Sequence, residues 1–184
     1  MVRWTAVITI SAAIGLPGVA SAQSGSVDWA DIDCMKSRIV PTEGLRCRAT
    51  DKLTSDALAT GEALYRYWNA SGTIKDVKYY YYVAEALSAK SAIMPEQGLP
   101  DAVRVRSPQG RGSVNMSDVV QRQDADFVSF EGPGKESCAG IRKIGPSHAQ
   151  GAKWILYATR CVPQGQPVTD ADIATFVRQA RLRE

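Results

Sequence analysis

The sequence of 184 residues lacks most of the motifs that mark enzymes and metal proteins. It has a single histidine, His148, in a loop rich in glycine, proline and serine, where we expect an exposed surface residue. The G-x-S-x-G, S-x-x-K and H-E-x-x-H motifs do not occur. The four cysteines include no C-x-x-C pair, which with one histidine argues against zinc. We therefore predict no metal and no cofactor.

A strong charge and a long apolar run are also missing. The formal net charge of +3 is mild and does not indicate a nucleic-acid partner. The apolar stretch Thr5–Leu16 is shorter than the ~20 residues of a membrane span. It follows Arg3 and precedes Ala20-Ser21-Ala22, so residues 1–22 match a signal peptide. Cleavage would remove only Arg3 among the charged residues, lower the net charge to +2 and leave no stable membrane span.

The rest of the chain, residues 23–184, has the length of one exported domain. Four cysteines behind a signal peptide predict disulfides and a periplasmic or secreted location. Three pairings are possible, and the spacing favours Cys34–Cys47 with Cys138–Cys161, because each of these pairs is local. An uncleaved N-terminus, which would hold a structural subunit at the membrane, is the alternative for residues 1–22.

A small antiparallel sheet is predicted in the second half of the chain. Short β-branched and aromatic runs, separated by glycine and proline, indicate strands over 126–131, 137–144 and 152–161. Cysteines lie at the start of the second strand and at the end of the third. A helix follows, with Thr169 as its N-cap, Asp172 in its first turn and an apolar stripe from Ile173 to Ala180. Arg178, Arg181 and Arg183 are predicted at its C-terminal end, where the helix dipole favours positive charge.

The first half of the chain predicts a helical hairpin. Apolar residues recur at three- and four-residue spacing over 54–69, and a T-x-x-D pattern at Thr73 begins a second helix that ends before Pro95. The alternating run over 103–106 predicts a short strand, whereas 117–123 fits a strand or a helical turn. The predicted fold class is therefore α+β, with a helical hairpin, a small antiparallel sheet, a C-terminal helix and two disulfides.

The run of four tyrosines, 79–82, is the least common local feature. On a helix these four rings would point around most of the circumference, so the core could not take them all. Tyr79 and Tyr82, with Trp68 nearby, are therefore the predicted aromatic surface for a partner or a carbohydrate. The alternative is ordinary packing in which the tyrosine hydroxyls reach water.

Two charged groups give further hypotheses. Arg104, Arg106 and Arg111 form a possible cationic patch for lipid head groups or acidic glycans, the alternative being the solvated face of an edge strand. Asp31 and Asp33 would present both carboxylates on one face of a strand. The function best supported is a non-enzymatic exported protein that binds a protein or another envelope component. An envelope hydrolase using Asp31 and Asp33 is the alternative.

Overall fold

The computed structural model describes residues 29–53, 64–88, 91–95, 98–148 and 151–183. The proposed signal peptide, residues 1–22, lies outside these ranges, as do residues 54–63 of the first predicted helix. Most of the described chain is β-structure, and only two short helices, α1 (Leu99–Arg106) and α2 (Asp170–Gln179), occur in it.

The centre of the fold is one antiparallel sheet of eight strands, in the order β1-β3-β4-β5-β11-β8-β7-β6. Two short ribbons accompany it, one between β2 and β12 and the other between β9 and β10. The strands are β1 (Ala30–Ile32), β2 (Ile39–Val40), β3 (Arg46–Leu53), β4 (Leu64–Ile74), β5 (Val77–Ala86), β6 (Val120–Arg122), β7 (Ala125–Glu131), β8 (Ser137–Ile144), β9 (Ser147–His148), β10 (Gly151–Ala152), β11 (Trp154–Val162) and β12 (Arg181–Leu182).

Both faces of the sheet are covered. On the face that we call the α2 face, side chains of the central strands pack with Ile173, Phe176 and Val177 of α2 and with the β2–β12 ribbon. On the opposite α1 face, Leu99 and Val103 of α1 pack over β7, β8 and β11. Helix α1 can approach closely because residue 140 of β8 is glycine; a Cβ there would lie 2.9 Å from a Val103 methyl carbon.

The predicted α+β fold class, with a helical hairpin beside a small sheet, is wrong, because the described chain is mainly β and its central sheet has eight strands. The chain over 64–74 and 77–86 forms β4 and β5, which pair with each other and lie in the middle of the sheet. The T-x-x-D pattern at Thr73 belongs to their two-residue connection, in which Lys75 and Asp76 have φ of 48° and 65°, as a type I′ turn requires. Since both faces of these strands are covered, they show no polar–apolar alternation, and their spacing resembles that of a helix.

Two further predictions need correction. The run over 103–106, predicted as a strand, is the last part of α1. Helix α2 ends at Gln179, so Arg181 lies in β12 instead of in a last helical turn. The ambiguous stretch 117–123 contains strand β6.

The prediction for the second half of the chain is confirmed in its main elements. The three predicted strands correspond to β7, β8 and β11, which are neighbours in the sheet. Thr169 caps α2 in a reciprocal capping box with Asp172. Both predicted disulfides, Cys34–Cys47 and Cys138–Cys161, are present.

Candidate functional site

A cavity of about 850 Å³ opens at one end of the α2 face, where the β2–β12 ribbon meets the ends of β8 and β11. Its volume lies within the ~300–1,000 Å³ range of small-molecule sites. We call it the basic pocket; the residues that line it are Arg38, Val40, Asp124, Lys143, Trp154, Arg181, Leu182 and Arg183. Four of these eight side chains are cationic and one is a carboxylate.

Arg38 precedes β2 and is held by two contacts. One terminal nitrogen, Nη2, lies 3.2 Å from Glu85 Oε1, and the other, Nη1, donates to the carbonyl oxygen of Arg183. Its Nε is buried and has no hydrogen-bond partner among the described residues. A buried donor without a partner is unfavourable, because it has lost its water and gained nothing in return. Arg38 therefore contributes its positive charge to the pocket, while its Nε is not accessible to a ligand there.

Glu85 on β5 positions Arg38 through their ion pair. The glutamate is 7% exposed, and its second oxygen accepts a hydrogen bond of 3.2 Å from the indole Nε1 of Trp68. Trp68, predicted as part of an aromatic surface, is itself buried on the α2 face. The indole N–H of Trp68 donates to the Glu85 carboxylate, and the same carboxylate forms the ion pair with Arg38. Such a chain of buried polar contacts restricts the guanidinium to one place.

Lys143 and Asp124 form the opposite side of the basic pocket. Lys143 is on β8 and its side chain is 8% exposed, while Asp124 lies in the turn between β6 and β7 with 68% of its side chain exposed. Lys143 Nζ is 2.9 Å from Asp124 Oδ2. The second carboxylate oxygen, Oδ1, has no hydrogen-bond partner among the residues that the structure describes. Asp124 is therefore an available acceptor at the rim.

The last strand of the chain supplies two more cations. Arg181 and Arg183 are exposed and flank Leu182, which packs against the core. Arg183 donates to the backbone oxygen of Met35, and Arg181 has no acidic partner in the described part of the chain. When Glu85, the partner of Arg38, is counted with the lining residues, the pocket is surrounded by four cations and two carboxylates. The net charge around it is therefore +2. An anion is the ligand that this field favours.

Trp154 forms the aromatic wall of the basic pocket. It begins β11, and its carbonyl oxygen accepts a 2.8 Å hydrogen bond from the backbone N–H of Gly145. Gly145 lies against the indole so closely that a Cβ there would be 2.6 Å from ring carbons Cδ2 and Cε2. Only glycine fits at this position without moving the ring. The indole Nε1 has no hydrogen-bond partner within the described ranges and is a further donor.

The predicted aromatic residues do not form one surface. Tyr79 and Tyr81 point to the α2 face, and Tyr80 and Tyr82 to the α1 face, because successive residues of a strand alternate. Tyr79 is half-buried and stacks beside Tyr81, at a ring-centroid distance of 6.4 Å. Trp68 shares its face but is buried. Tyr79 and Tyr82 are therefore separated by the sheet.

Tyr82 belongs to an aromatic cluster on the α1 face. Its ring lies 5.9 Å from that of Tyr67 and 6.3 Å from that of Trp29. The guanidinium carbon of Arg106 is 4.7 Å from the Tyr82 centroid and 5.4 Å from that of Tyr157. Both distances are typical of cation–π contacts. Burial raises the pKa of Tyr82, and the nearby Arg106 charge opposes that rise.

The three predicted arginines have different environments. Arg106 is covered by the tyrosines, whereas Arg104 is exposed and forms a 3.3 Å ion pair with Asp101 one turn earlier in α1. Arg111 is exposed in the turn after α1, and its charge acts on Tyr80. All three lie on the α1 side of the sheet, away from the basic pocket.

The aspartates that could serve a hydrolase are both engaged locally. Asp31 on β1 accepts hydrogen bonds from Arg46 and Arg48, and the hydrogen bond from Arg46 is the main cause of its lowered pKa. Asp33 caps the 3₁₀ turn Cys34–Lys36 by accepting from the Met35 backbone N–H.

His148 is half-buried, not exposed as predicted, and its Nε2 lies 3.1 Å from the Ser88 carbonyl oxygen. Within the described residues no group of three or more histidine, cysteine or acidic side chains is placed to hold a metal ion. No described helix is both long enough and apolar enough to cross a membrane.

The basic pocket was not predicted, and its members carry no local signal. Arg181 and Val40 pair across the ribbon although they are 141 positions apart in the chain. In comparisons with known proteins, no family model, no curated protein and no solved structure matches the chain.

Proposed function

We propose that the protein is an exported, disulfide-stabilised binding protein without catalytic activity, and that it binds an anionic ligand in the basic pocket. The observation that carries the proposal is the group of four cations that lines a cavity whose surroundings have a net charge of +2. An anion in the cavity would be attracted by this field, and Arg181 has no competing acidic partner in the described part of the chain.

The chemistry of the lining residues supports binding without catalysis. The side chains around the pocket are arginine, lysine, aspartate, valine, leucine and tryptophan, so this lining contains no hydroxyl, thiol or imidazole nucleophile. The one carboxylate that lines it, Asp124, is paired with Lys143 Nζ at 2.9 Å. The groups that remain are donors suited to hold an anion in place.

The proposed export rests on the signal-type residues 1–22 and on the two disulfides. Both bonds use all four cysteines of the chain, which is the usage expected in an oxidising compartment. A periplasmic or secreted binding protein would meet lipid head groups, acidic glycans and small anions, whereas nucleic acid would be rare. The binding partner is therefore proposed to be an envelope component or an extracellular molecule with a negative charge.

The test compares two exposed arginines on opposite faces of the sheet. The mature protein is titrated with inorganic phosphate and with acetate at constant ionic strength, and binding is followed by calorimetry and by the rise in melting temperature. Arg181→Gln should weaken binding about tenfold, since a hydrogen bond to a charged group contributes ~1.5 kcal/mol. Arg104→Gln removes the same charge on the α1 side and should leave the affinity unchanged.

Arg181 is chosen because it is exposed and has no acidic partner in the described chain, so its replacement should not affect folding. Equal weakening by Arg181→Gln and Arg104→Gln would mean that the anions respond to net charge alone. That result, or the lack of any saturable binding, would refute the proposal.

A further inference from the structure

We infer that the ligand of the basic pocket is an acidic saccharide, a sugar chain that presents carboxylate groups and free hydroxyls. The inference rests on the proposed function and adds the chemical class of the ligand. It is based on features of the pocket that charge alone does not explain: an aromatic and aliphatic wall, an exposed acceptor at the rim, and a volume greater than a small inorganic anion needs.

The apolar part of the wall is the first feature. Trp154, Val40 and Leu182 line the same cavity as the four cations, so a ligand that fills it must have a weakly polar face as well as a charge. The C–H face of a sugar ring packs against an indole, and the same sugar can carry a carboxylate on its edge. Gly145 keeps the indole in position, because its missing side chain allows backbone contact with the ring.

The carboxylate of Asp124 is the second feature. A negative group at the rim of an anion site repels a compact anion such as phosphate. It therefore lowers the affinity of a site that recognises its ligand by charge alone. A sugar hydroxyl, in contrast, can donate to Asp124 Oδ1, which has no partner among the described residues. One acceptor beside several donors is the arrangement that a molecule with both hydroxyls and carboxylates satisfies.

The geometry of the cations is the third feature. Guanidinium groups bind carboxylates through two parallel hydrogen bonds, and Arg181 is an exposed guanidinium with no acidic partner in the described part of the chain. Lys143 is recessed and paired with Asp124, while Arg181 and Arg183 are exposed near the opening. Cations at two depths can contact carboxylates on successive sugar units. The cavity of about 850 Å³ has room for more than one small anion.

The experiment uses a trisaccharide of galacturonic acid and its fully methyl-esterified form, with inorganic phosphate as the simple anion. The full mature chain is titrated near pH 6 at constant ionic strength, and the indole N–H signal of Trp154 is followed by NMR. The acid should bind and shift that signal. Since the ester keeps the rings and hydroxyls but loses every charge, it should bind at least about tenfold more weakly.

Asp124→Asn separates a saccharide site from a plain anion site. It should strengthen phosphate, because a repelling charge is removed, and it should lower the affinity for the acidic trisaccharide relative to that for phosphate several-fold, because the trisaccharide also loses a charged acceptor for its hydroxyls. Arg181→Gln should weaken both ligands, and Arg104→Gln neither. If the amide variant changes the affinities for both ligands by the same factor, or if the ester binds as well as the acid, the saccharide inference is wrong.

The outcomes also distinguish this inference from the proposed function. Phosphate binding that depends on Arg181, without binding of the trisaccharide, would leave an anion-binding protein and overturn the saccharide. The lack of binding by any of the three probes would refute both.

Discussion

The two disulfides allow a matched test of how the basic pocket is held together. Cys34–Cys47 ties the 3₁₀ turn Cys34–Lys36 to β3, and this turn leads directly into Arg38 and β2. Cys138–Cys161 joins β8 to β11 five and seven residues away from Lys143 and Trp154, which is ~17 to 23 Å along a strand. Only the first bond is therefore connected to the wall of the pocket.

Replacement of each pair by alanine should cost a similar free energy of unfolding. The bonds close sequence separations of 13 and 23 residues. In the chain-entropy model these correspond to ~3 and ~3.4 kcal/mol, because the longer loop restricts the unfolded chain slightly more. In a domain of this size, 1 kcal/mol shifts the melting temperature by ~2–4 °C, so each variant should melt roughly 6–14 °C lower.

The affinities should differ although the stabilities do not. Without Cys34–Cys47, the turn that carries Arg38 loses its tether, and phosphate should bind about tenfold more weakly. Without Cys138–Cys161, the two strands remain paired along their length and the affinity should stay within about twofold of the wild type. Melting by circular dichroism and phosphate titration by calorimetry, both at a temperature where all variants are folded, give the two quantities.

Equal affinities in the two variants would refute this reasoning, because the ribbon would then not need its disulfide. Weaker binding in the Cys138, Cys161 variant alone would place the anion elsewhere on the protein. The wild-type protein under reducing conditions is the control, since it should combine both losses of stability and show the affinity of the Cys34, Cys47 variant.

Two other predictions concern the tyrosine run. Burial raises the pKa of Tyr80 to about 12 and also raises those of Tyr81 and Tyr82, so these three should stay protonated at about pH 11 in the folded protein and ionise near pH 10 once unfolded. Their contribution to stability is complete below pH 10 and falls between about pH 10 and 12; tyrosinate absorbance of folded and denatured protein would show the difference, and coincident titrations would contradict it. Tyr82→Ser should lower the free energy of unfolding by at least ~3 kcal/mol, because it removes the contacts to Arg106 and to three aromatic rings. Tyr79→Ser should lower it by ~1 kcal/mol, because Tyr79 is half-buried. Urea unfolding measures both costs, and equal losses would show that the two rings are equally part of the core.

The elements that could be predicted are those whose signal is local. The strand runs over 126–144 are bounded by glycine and proline, and Thr169 with Asp172 forms a capping box that is visible in four residues. Local spacing also favoured the disulfides, since each one links neighbouring parts of the chain.

The sequence in the middle of the sheet predicts helices because β4 and β5 are covered on both faces. The tyrosine run illustrates the cause: two rings point to each face of the sheet, so the hydrophobic period of two that identifies a strand is lost. The high β-propensity of the tyrosines is then the one remaining signal for a strand. The alanine-rich continuation of the run favours a helix and opposes that signal.

The basic pocket could not be predicted by any local pattern. Its cations come from residue 38, from β8 and from the last strand, and only the tertiary fold brings them together. In the sequence, Arg181 and Arg183 look like the basic end of a helix. Pairing of β12 with β2 makes them the wall of a cavity.

The β2–β12 ribbon also determines when the basic pocket forms during folding. Every pairing of the large sheet can form once residue 162 is available, but the pocket needs residues 181–183 to return to residues 38–40. Contacts so distant in sequence close late, because a long loop must be ordered first. A chain whose last strand has not yet paired would thus hold a complete large sheet and no basic pocket, and formation of the pocket would report that the last strand has arrived.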